Sequence, residues 1–182
     1  MIEKFNIEGP VLITNKTFKD DRGMFFESFN EKGFEEIIDE KVKFVQDNLS
    51  VSKMNVIRGL HFQKPPFEQG KLVQVLKGKV IDVAVDIRKN SPTYGESISV
   101  ELSAENNKMF WVPPGFAHGF SVLEEDTVFF YKCTNYYNHE SEDSLLWNDK
   151  SLSIDWKVKS PILSDKDKVS QVFKSFNTPF VK

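Results

Sequence analysis

KLVQVLKGKVIDVAVDI, residues 71–87, alternates apolar and polar side chains on either side of a glycine. Val73 and Val75 share one face before Gly78; Ile81, Val83, Val85 and Ile87 share one after it. A period of two marks a strand, because successive side chains of an extended chain point to opposite faces. Gly78 supplies the turn, so the stretch reads as a β-hairpin. The pattern continues downstream. ESISVELSAENNKMFWVPPGF (96–116) gives two more strands around SAENN, and GFSVLEEDTVFFYKCTNYY (119–137) another hairpin around EEDT. Turn signals recur about every ten residues, as in an all-β sandwich or barrel.

Two segments depart to a helical period. In NEKGFEEIIDE (30–40), Phe34, Ile37 and Ile38 fall at i, i+3, i+4. In SDKDKVSQVFKSF (164–176), Val169, Val172, Phe173 and Phe176 repeat that spacing. Ser164 is a natural N-cap there, with Asp165 and Asp167 in the first turn.

Composition sets the outer limits. The 182 residues suit one domain, 1–182, with no repeat, low-complexity segment or linker to divide it. A domain of that length buries roughly 70% of its unfolded surface and folds without staples. Hydrophobic residues at 40% and charged residues at 28% describe a globular chain, and the 17 phenylalanines suit a β-sandwich core, with a few free to stack on a planar ligand. A net charge of −3 leaves no footprint for nucleic acid, though a local cluster of cations could still grip phosphate. The single cysteine, Cys133, forms no internal disulfide and fits a reducing compartment. MIEKFNIEGP is not a signal peptide, and no stretch approaches the roughly 20 apolar residues of a membrane helix. The expectation is a cytoplasmic protein with no membrane partner.

The chemistry turns on IRGLHFQ (57–63), which places one of only three histidines inside a buried-looking strand. A metal site is one use of it. PPGFAH (113–118) fits the P-x-G-x-x-H phrase of cupin barrels, a resemblance, but metal-binding cupins pair it with H-x-H and a nearby Glu. Here that strand reads His61-Phe62-Gln63. Only His61 and His118 remain as clear ligands, and zinc or non-haem iron sites take three or four. No metal is expected.

A proton carrier is the second use. His61 and Gln63 share a face by parity, and Gly59 can bend the strand. Lys71 begins the next strand. Tyr131 shares a face with Phe129 and Cys133. If these faces line one interior, an imidazole, an ammonium and a phenol meet in one cavity, a set suited to proton transfer beside a carbonyl. Spacing alone does not separate this from a core histidine bonded to a backbone carbonyl.

A longer resemblance does. DDRGMFFESFN, FVQDNLS, NVIRGLHFQ, GKLVQVLKGKVIDVAVDIRKNSPTYG, VELSAENN, WVPPGFAHGF, YKCTNYY, LLWND and SPILSDKD run in order from Asp20 to Asp167. Together they resemble the dTDP-4-dehydrorhamnose 3,5-epimerase family. The resemblance implies a cupin-like jelly-roll β-sandwich with a few short peripheral helices, a homodimer with exchanged N-terminal strands, and no cofactor. It implies a dTDP-linked 4-keto-6-deoxy sugar as substrate. It makes His61 the base at C3 and C5, Asp167 its orienter, Lys71 the cation on the enolate oxygen, and Tyr131 the acid on the opposite sugar face.

Binding residues carry over in the same way: Arg22 and Glu27 in DRGMFFES, Gln46 and Asn48 in VQDN, Arg58 in IRGLH, His118 in PPGFAH, Glu142 in SED and Lys166 in SDKD, with Lys71 shared between both roles. Arg22 and Arg58 suit a diphosphate, since a planar guanidinium pairs phosphate oxygens two at a time. Phe25 or Phe26 either stacks on thymine or packs in the core. Asp82 and Asp86 either support the site or face solvent. Cys133 reads as a small apolar packer, and His139, in NHESED, as a surface residue. That loop departs from the common family form, which often carries Pro and Arg-Gly here.

Three rivals remain. A relative that inverts only C3 or only C5 would use the same residues. A metal-dependent cupin would show bound metal and sensitivity to chelator. A non-catalytic sugar-nucleotide binder has no use for a proton-transfer set.

Overall fold

A computed structural model describes residues 1–182, and alternation of side chains accounts for most of its architecture. The strands are β1 (Ile2–Lys4), β2 (Val11–Thr14), β3 (Thr17–Asp20), β4 (Gly23–Phe26), β5 (Gln46–Ser52), β6 (Ile57–Gln63), β7 (Lys71–Lys77), β8 (Lys79–Asp86), β9 (Arg88–Lys89), β10 (Ser97–Ser103), β11 (Lys108–Val112), β12 (Phe116–Val122), β13 (Thr127–Cys133), β14 (Glu142–Ser144) and β15 (Phe180–Val181). Two sheets carry the fold. A six-stranded sheet runs β1-β2-β11-β7-β13-β5, and a five-stranded sheet runs β10-β8-β12-β6-β14. Every ladder within them is antiparallel.

The expected hairpins are corrected here. β7 and β8 do not pair across Gly78; β7 lies between β11 and β13, and β8 between β10 and β12. Likewise β12 and β13, on either side of EEDT, belong to different sheets. Each of these turns is a corner where the chain crosses from one sheet to the other, as in a jelly roll. Gly78 sits at such a corner with φ +81°, and a Cβ there would press on Thr127 at 2.2 Å.

Period two now sorts residues into three layers. Leu12, Val73, Val75, Phe110, Val112 and Phe129 of one sheet meet Val80, Ala84, Val100, Leu102, Phe120 and Val122 of the other in the interior. Their sequence neighbours Val11, Ile13, Leu72, Met109 and Trp111 face the other way, under helix α1 (Glu31–Ile38). Asn30 caps α1 through the Gly33 N–H, and Phe34 packs edge-on against Trp111. The outer face of the five-stranded sheet, with Ile57, Leu60, Phe62, Val83, Val85 and Ile87, is covered by Leu145, Leu152, Trp156, Phe176 and Phe180 of the C-terminal segment. Both faces of this sheet are therefore dry, which buries Asp82 and Asp86 and removes the solvent-facing reading of them.

The second expected helix is shorter than its pattern. Only α2 (Asp165–Lys168) forms, followed by a single 3-10 turn at Phe173–Ser175. Gln171 is drawn instead into a parallel bridge with Leu145, and its carbonyl accepts the Leu146 N–H at 2.8 Å. Val169 is left 81% exposed, while Phe176 is buried. Tertiary pairing overrides the helical spacing.

Candidate active site

The interior changes character along the strands. On β7, Lys71 shares the inward face with Val73 and Val75; on β13, Tyr131 and Cys133 share it with Phe129. Ladder register sets two polar rows across neighbouring strands. Asn48 and Tyr131 stand opposite each other, and Gln46, Cys133 and Lys71 form the next row. On the facing sheet His61 stands opposite His118. The apolar end of the sandwich is packed and the polar end is open. The opening has two adjoining lobes of about 300 and 250 Å³ that share Asn48, His61, Lys71 and Tyr131.

A bulge completes the wall. His118 pairs His61 while Phe120 pairs Arg58, so β6 spends one more residue than β12 over this span. Arg58 and His61, three apart, would otherwise point to opposite faces. With the bulge both line the same lobe. Gly59 makes it possible at φ +124°, since a Cβ there would lie 2.5 Å from Gly119 Cα and 2.8 Å from the His118 carbonyl.

Asp167 reaches His61 from the C-terminal segment, which crosses the end of this sheet. The segment is tied to β6 by the Ile57 N–H on the Ile162 carbonyl at 3.0 Å and to β14 by the Ser144–Ser170 hydroxyl pair at 2.8 Å. Between these ties α2 holds Asp167, whose Oδ1 lies 2.5 Å from His61 Nε2. Burial works to raise the Asp167 pKa, but the His61 hydrogen bond and charge, the Ser164 hydroxyl and Lys166 outweigh it and hold the group below its ordinary range. With Nε2 engaged by Asp167, Nδ1 is the other ring nitrogen of His61.

Lys71 carries its ammonium into the cavity with no ion pair, and burial lowers its pKa against the opposing pull of Cys133, Asp82 and Glu142. Burial pushes the Tyr131 phenol up, assisted by Cys133 and Glu142 and opposed by Arg58. His118 is buried and gives Nε2 to both oxygens of Asp82, at 2.9 and 3.0 Å. At the outer lobe, Glu142 pairs Lys166 at 2.5 Å and accepts the Tyr137 hydroxyl at 3.0 Å. Burial acts to raise Glu142, yet Lys166, Tyr137 and His61 bring it below its ordinary value.

Of the sequence candidates, His61, Lys71, Tyr131, Gln46, Asn48, Arg58, His118 and Glu142 line the two lobes, and Asp167 and Lys166 contact them from behind. Arg22 and Glu27 do not. Arg22 sits on the separate β3–β4 hairpin, its side chain 90% exposed and paired with Asp20. Phe25 of that hairpin is exposed, so it neither packs in the core nor reaches the cavity of its own chain. His61 and His118, the two ligand candidates of the metal reading, each turn Nε2 to an aspartate, and no three or more His, Cys, Asp or Glu side chains gather as a metal-holding group. His139 is exposed and Cys133 buried, as their sequence contexts suggest.

Sequence reasoning passed over Tyr137 and Gln69, which line the outer lobe. Both stand in connections beyond strand ends, where parity gives no direction; the paired tyrosines of TNYYN were the available signal.

Residues 4–175 match the family model described as dTDP-4-dehydrorhamnose 3,5-epimerase. A dTDP-4-dehydrorhamnose 3,5-epimerase of Shigella flexneri is 52% identical over 170 residues, 93% of this chain and 94% of the relative. The crystal structure of the enzyme of that name from Elizabethkingia anophelis superposes with a TM-score of 0.93 at 50% identity, covering 98% of each chain. A Legionella pneumophila dTDP-6-deoxy-D-glucose-3,5-epimerase, solved in complex with dTDP-4-keto-L-rhamnose, gives a TM-score of 0.93 at 47% identity, covering 97% of this chain and 94% of that one.

Proposed function

The chain belongs to the dTDP-4-dehydrorhamnose 3,5-epimerase family, and we propose that residues 1–182 act as one isomerase unit inverting C3 and C5 of dTDP-4-dehydro-6-deoxy-D-glucose. The product is dTDP-4-dehydro-L-rhamnose, on the way to dTDP-L-rhamnose. The carbons to be inverted flank the C4 ketone, so their protons are acidic through the carbonyl itself and the reaction calls for no cofactor. His61 Nδ1 takes the proton, and Asp167 steadies the imidazolium that forms. Electrons move to the C4 oxygen, where the Lys71 ammonium meets the enolate. Tyr131 returns a proton from the other face of the ring; exchange with solvent then takes the proton from His61 and restores the Tyr131 phenol, and the sequence repeats at the second carbon.

The observation that carries this reading is the 2.5 Å His61–Asp167 contact at the edge of a cavity that Lys71 and Tyr131 also line. A ligand-binding module has no need of a base and its orienter beside an unpaired ammonium. Arg58 and His118 suit the diphosphate, Gln46 and Asn48 the polar edges of the substrate, and the half-exposed Tyr137 ring a planar base. Glu142 and Lys166 hold one another in place beside that ring.

Arg22 and Glu27 fit the same reading through a second copy. The β3–β4 hairpin projects Phe18, Met24 and Phe25, all exposed, and the outer face of the six-stranded sheet exposes Leu49, Val51 and Leu76. Apolar groups in such positions suit a homodimer in which N-terminal strands are exchanged and Arg22 serves the partner's cavity.

Proton NMR of dTDP-4-dehydro-6-deoxy-D-glucose in D₂O tests the reaction. Deuterium enters at both C3 and C5 with the wild-type protein and at neither with His61→Ala. Entry at one carbon alone makes the protein a mono-epimerase, and no entry with folded protein removes the reading.

A further inference from the structure

Asp167 has two carboxylate oxygens and a separate partner for each. Oδ1 meets His61 Nε2 at 2.5 Å, and Oδ2 accepts the Ser164 hydroxyl at 2.8 Å. The same Ser164 Oγ accepts the Asp167 backbone N–H at 3.1 Å. One hydroxyl thus closes a ring on one residue, holding its main chain and its side chain together. Asp167 is 3% exposed, so water is a poor substitute for that donor. Its mount is weak on its own, since α2 has only four residues.

We infer that Ser164 is a positioning residue for proton transfer: it fixes the carboxylate rotation that aims Asp167 Oδ1 at His61. This rests on the reading of His61 as the base. An aspartate side chain turns about two bonds. The cap bond fixes where the residue sits, and the bond to Oδ2 fixes which way the carboxylate plane faces. Loosening that plane lengthens the contact to His61 and weakens the support of the imidazolium. The charged groups around the pair are Lys166 beside Asp167 and Glu142 beside His61, and both remain when Ser164 is changed.

An N-cap serine explains part of the geometry without any role in turnover, so the test must separate the two. Glycine caps a helix almost as well as serine but has no hydroxyl, and threonine keeps both functions. Ser164→Gly is expected to retain the wild-type melting temperature within a few degrees and to lower kcat about tenfold, with KM unchanged. The kcat/KM of the variant falls in step with its kcat. Ser164→Thr restores both. The low-field N–H proton resonance of the His61–Asp167 bond is weakened or lost in Ser164→Gly, a readout that does not depend on turnover. Wild-type kcat and resonance in Ser164→Gly would overturn the inference and leave Ser164 a cap. If the wild-type protein exchanges no substrate proton, the assignment of His61 fails instead, and the resonance still decides what Ser164 does to Asp167.

Discussion

His118 lies directly across the β6–β12 ladder from His61, and each imidazole gives its Nε2 to a different aspartate. Asp167 comes from the C-terminal segment and Asp82 from the middle of β8. The two pairs have different neighbours. Asp167 sits with Ser164 and Lys166, whereas Asp82 is one of the charges that face Lys71.

That difference gives Asp82 a measurable role. Burial lowers the Lys71 pKa, and Asp82, with Cys133 and Glu142, works against the fall. Asp82→Asn removes one negative charge, so the ammonium becomes less stable and the Lys71 pKa drops further. If protonated Lys71 steadies the enolate, the basic limb of kcat/KM moves to lower pH in Asp82→Asn. Loss of a well-placed oxyanion partner costs about 10²-fold in kcat, and partial loss less. A pH–rate profile of the variant checks both; an unmoved basic limb separates Lys71 from the ionisation that limits the rate.

The bulge makes a second prediction. A methyl group on residue 59 meets backbone at 2.5 Å on the neighbouring strand, where nothing flexible can yield, and the site has φ +124°. Gly59→Ala is expected to destabilise the fold by about 2 kcal/mol or more. The folded fraction loses about 10²-fold in kcat as Arg58 and His61 move off line. Urea denaturation and single-turnover exchange measure the two effects separately.

These same places mark the limit of what the sequence disclosed. Alternation in 71–87 located β7 and β8 well but not their partners, because a strand's period is the same whether the next turn is a hairpin or a corner. Parity placed His61 beside Gln63, but it could not have placed Arg58 with them, since one extra residue at a bulge reverses the alternation. It also left Asp82 undecided, because both faces of β8 are buried and polarity does not choose between them. Val169 and Val172 kept a helical spacing that the Leu145–Gln171 bridge overrides. The family phrases supplied what period could not, which was the joining of Lys71, Tyr131 and Asp167 to His61 across distant parts of the chain.

Asp86 predicts acid sensitivity away from the cavity. Burial acts to raise its pKa, but Arg88, Ser91 and Thr93 more than compensate and bring it to about 2. Arg88 pairs it at 2.7 Å, and Ser91 and Thr93 donate hydroxyls at 2.6 and 2.7 Å. A carboxylate whose pKa is lowered by folding contributes stability above its unfolded pKa of 3.8, and that contribution is lost as pH falls through about 2. Asp86→Asn is expected to cost about 3 kcal/mol at pH 7, since it strands the half-buried Arg88 guanidinium. The deficit shrinks by about 2 kcal/mol as the pH is lowered towards 2. Denaturant titrations of both proteins at several pH values give the comparison, and a deficit independent of pH would mean the carboxylate charge is not what stabilises this turn.

Arg22 offers the sharpest test of the dimer. Its side chain is 90% exposed and outside its own cavity, so the proposed use in binding requires a second copy to bring it to a cavity. Arg22→Ala alone is expected to raise KM about 10- to 100-fold, the value of a charged hydrogen bond to phosphate. His61→Ala alone is expected to be inactive. If the hairpin is exchanged in a dimer, then in a mixed dimer with one variant in each subunit the subunit that keeps His61 receives an intact Arg22 from its partner. One of the two sites is then complete, and the purified mixed dimer regains about half of the wild-type kcat with wild-type KM. If Arg22 served its own chain, the same dimer would keep the raised KM, because the intact His61 and the intact Arg22 would lie in different sites. Activity against substrate concentration in differently tagged, co-purified subunits therefore separates an exchanged hairpin from a local one without reference to any contact surface.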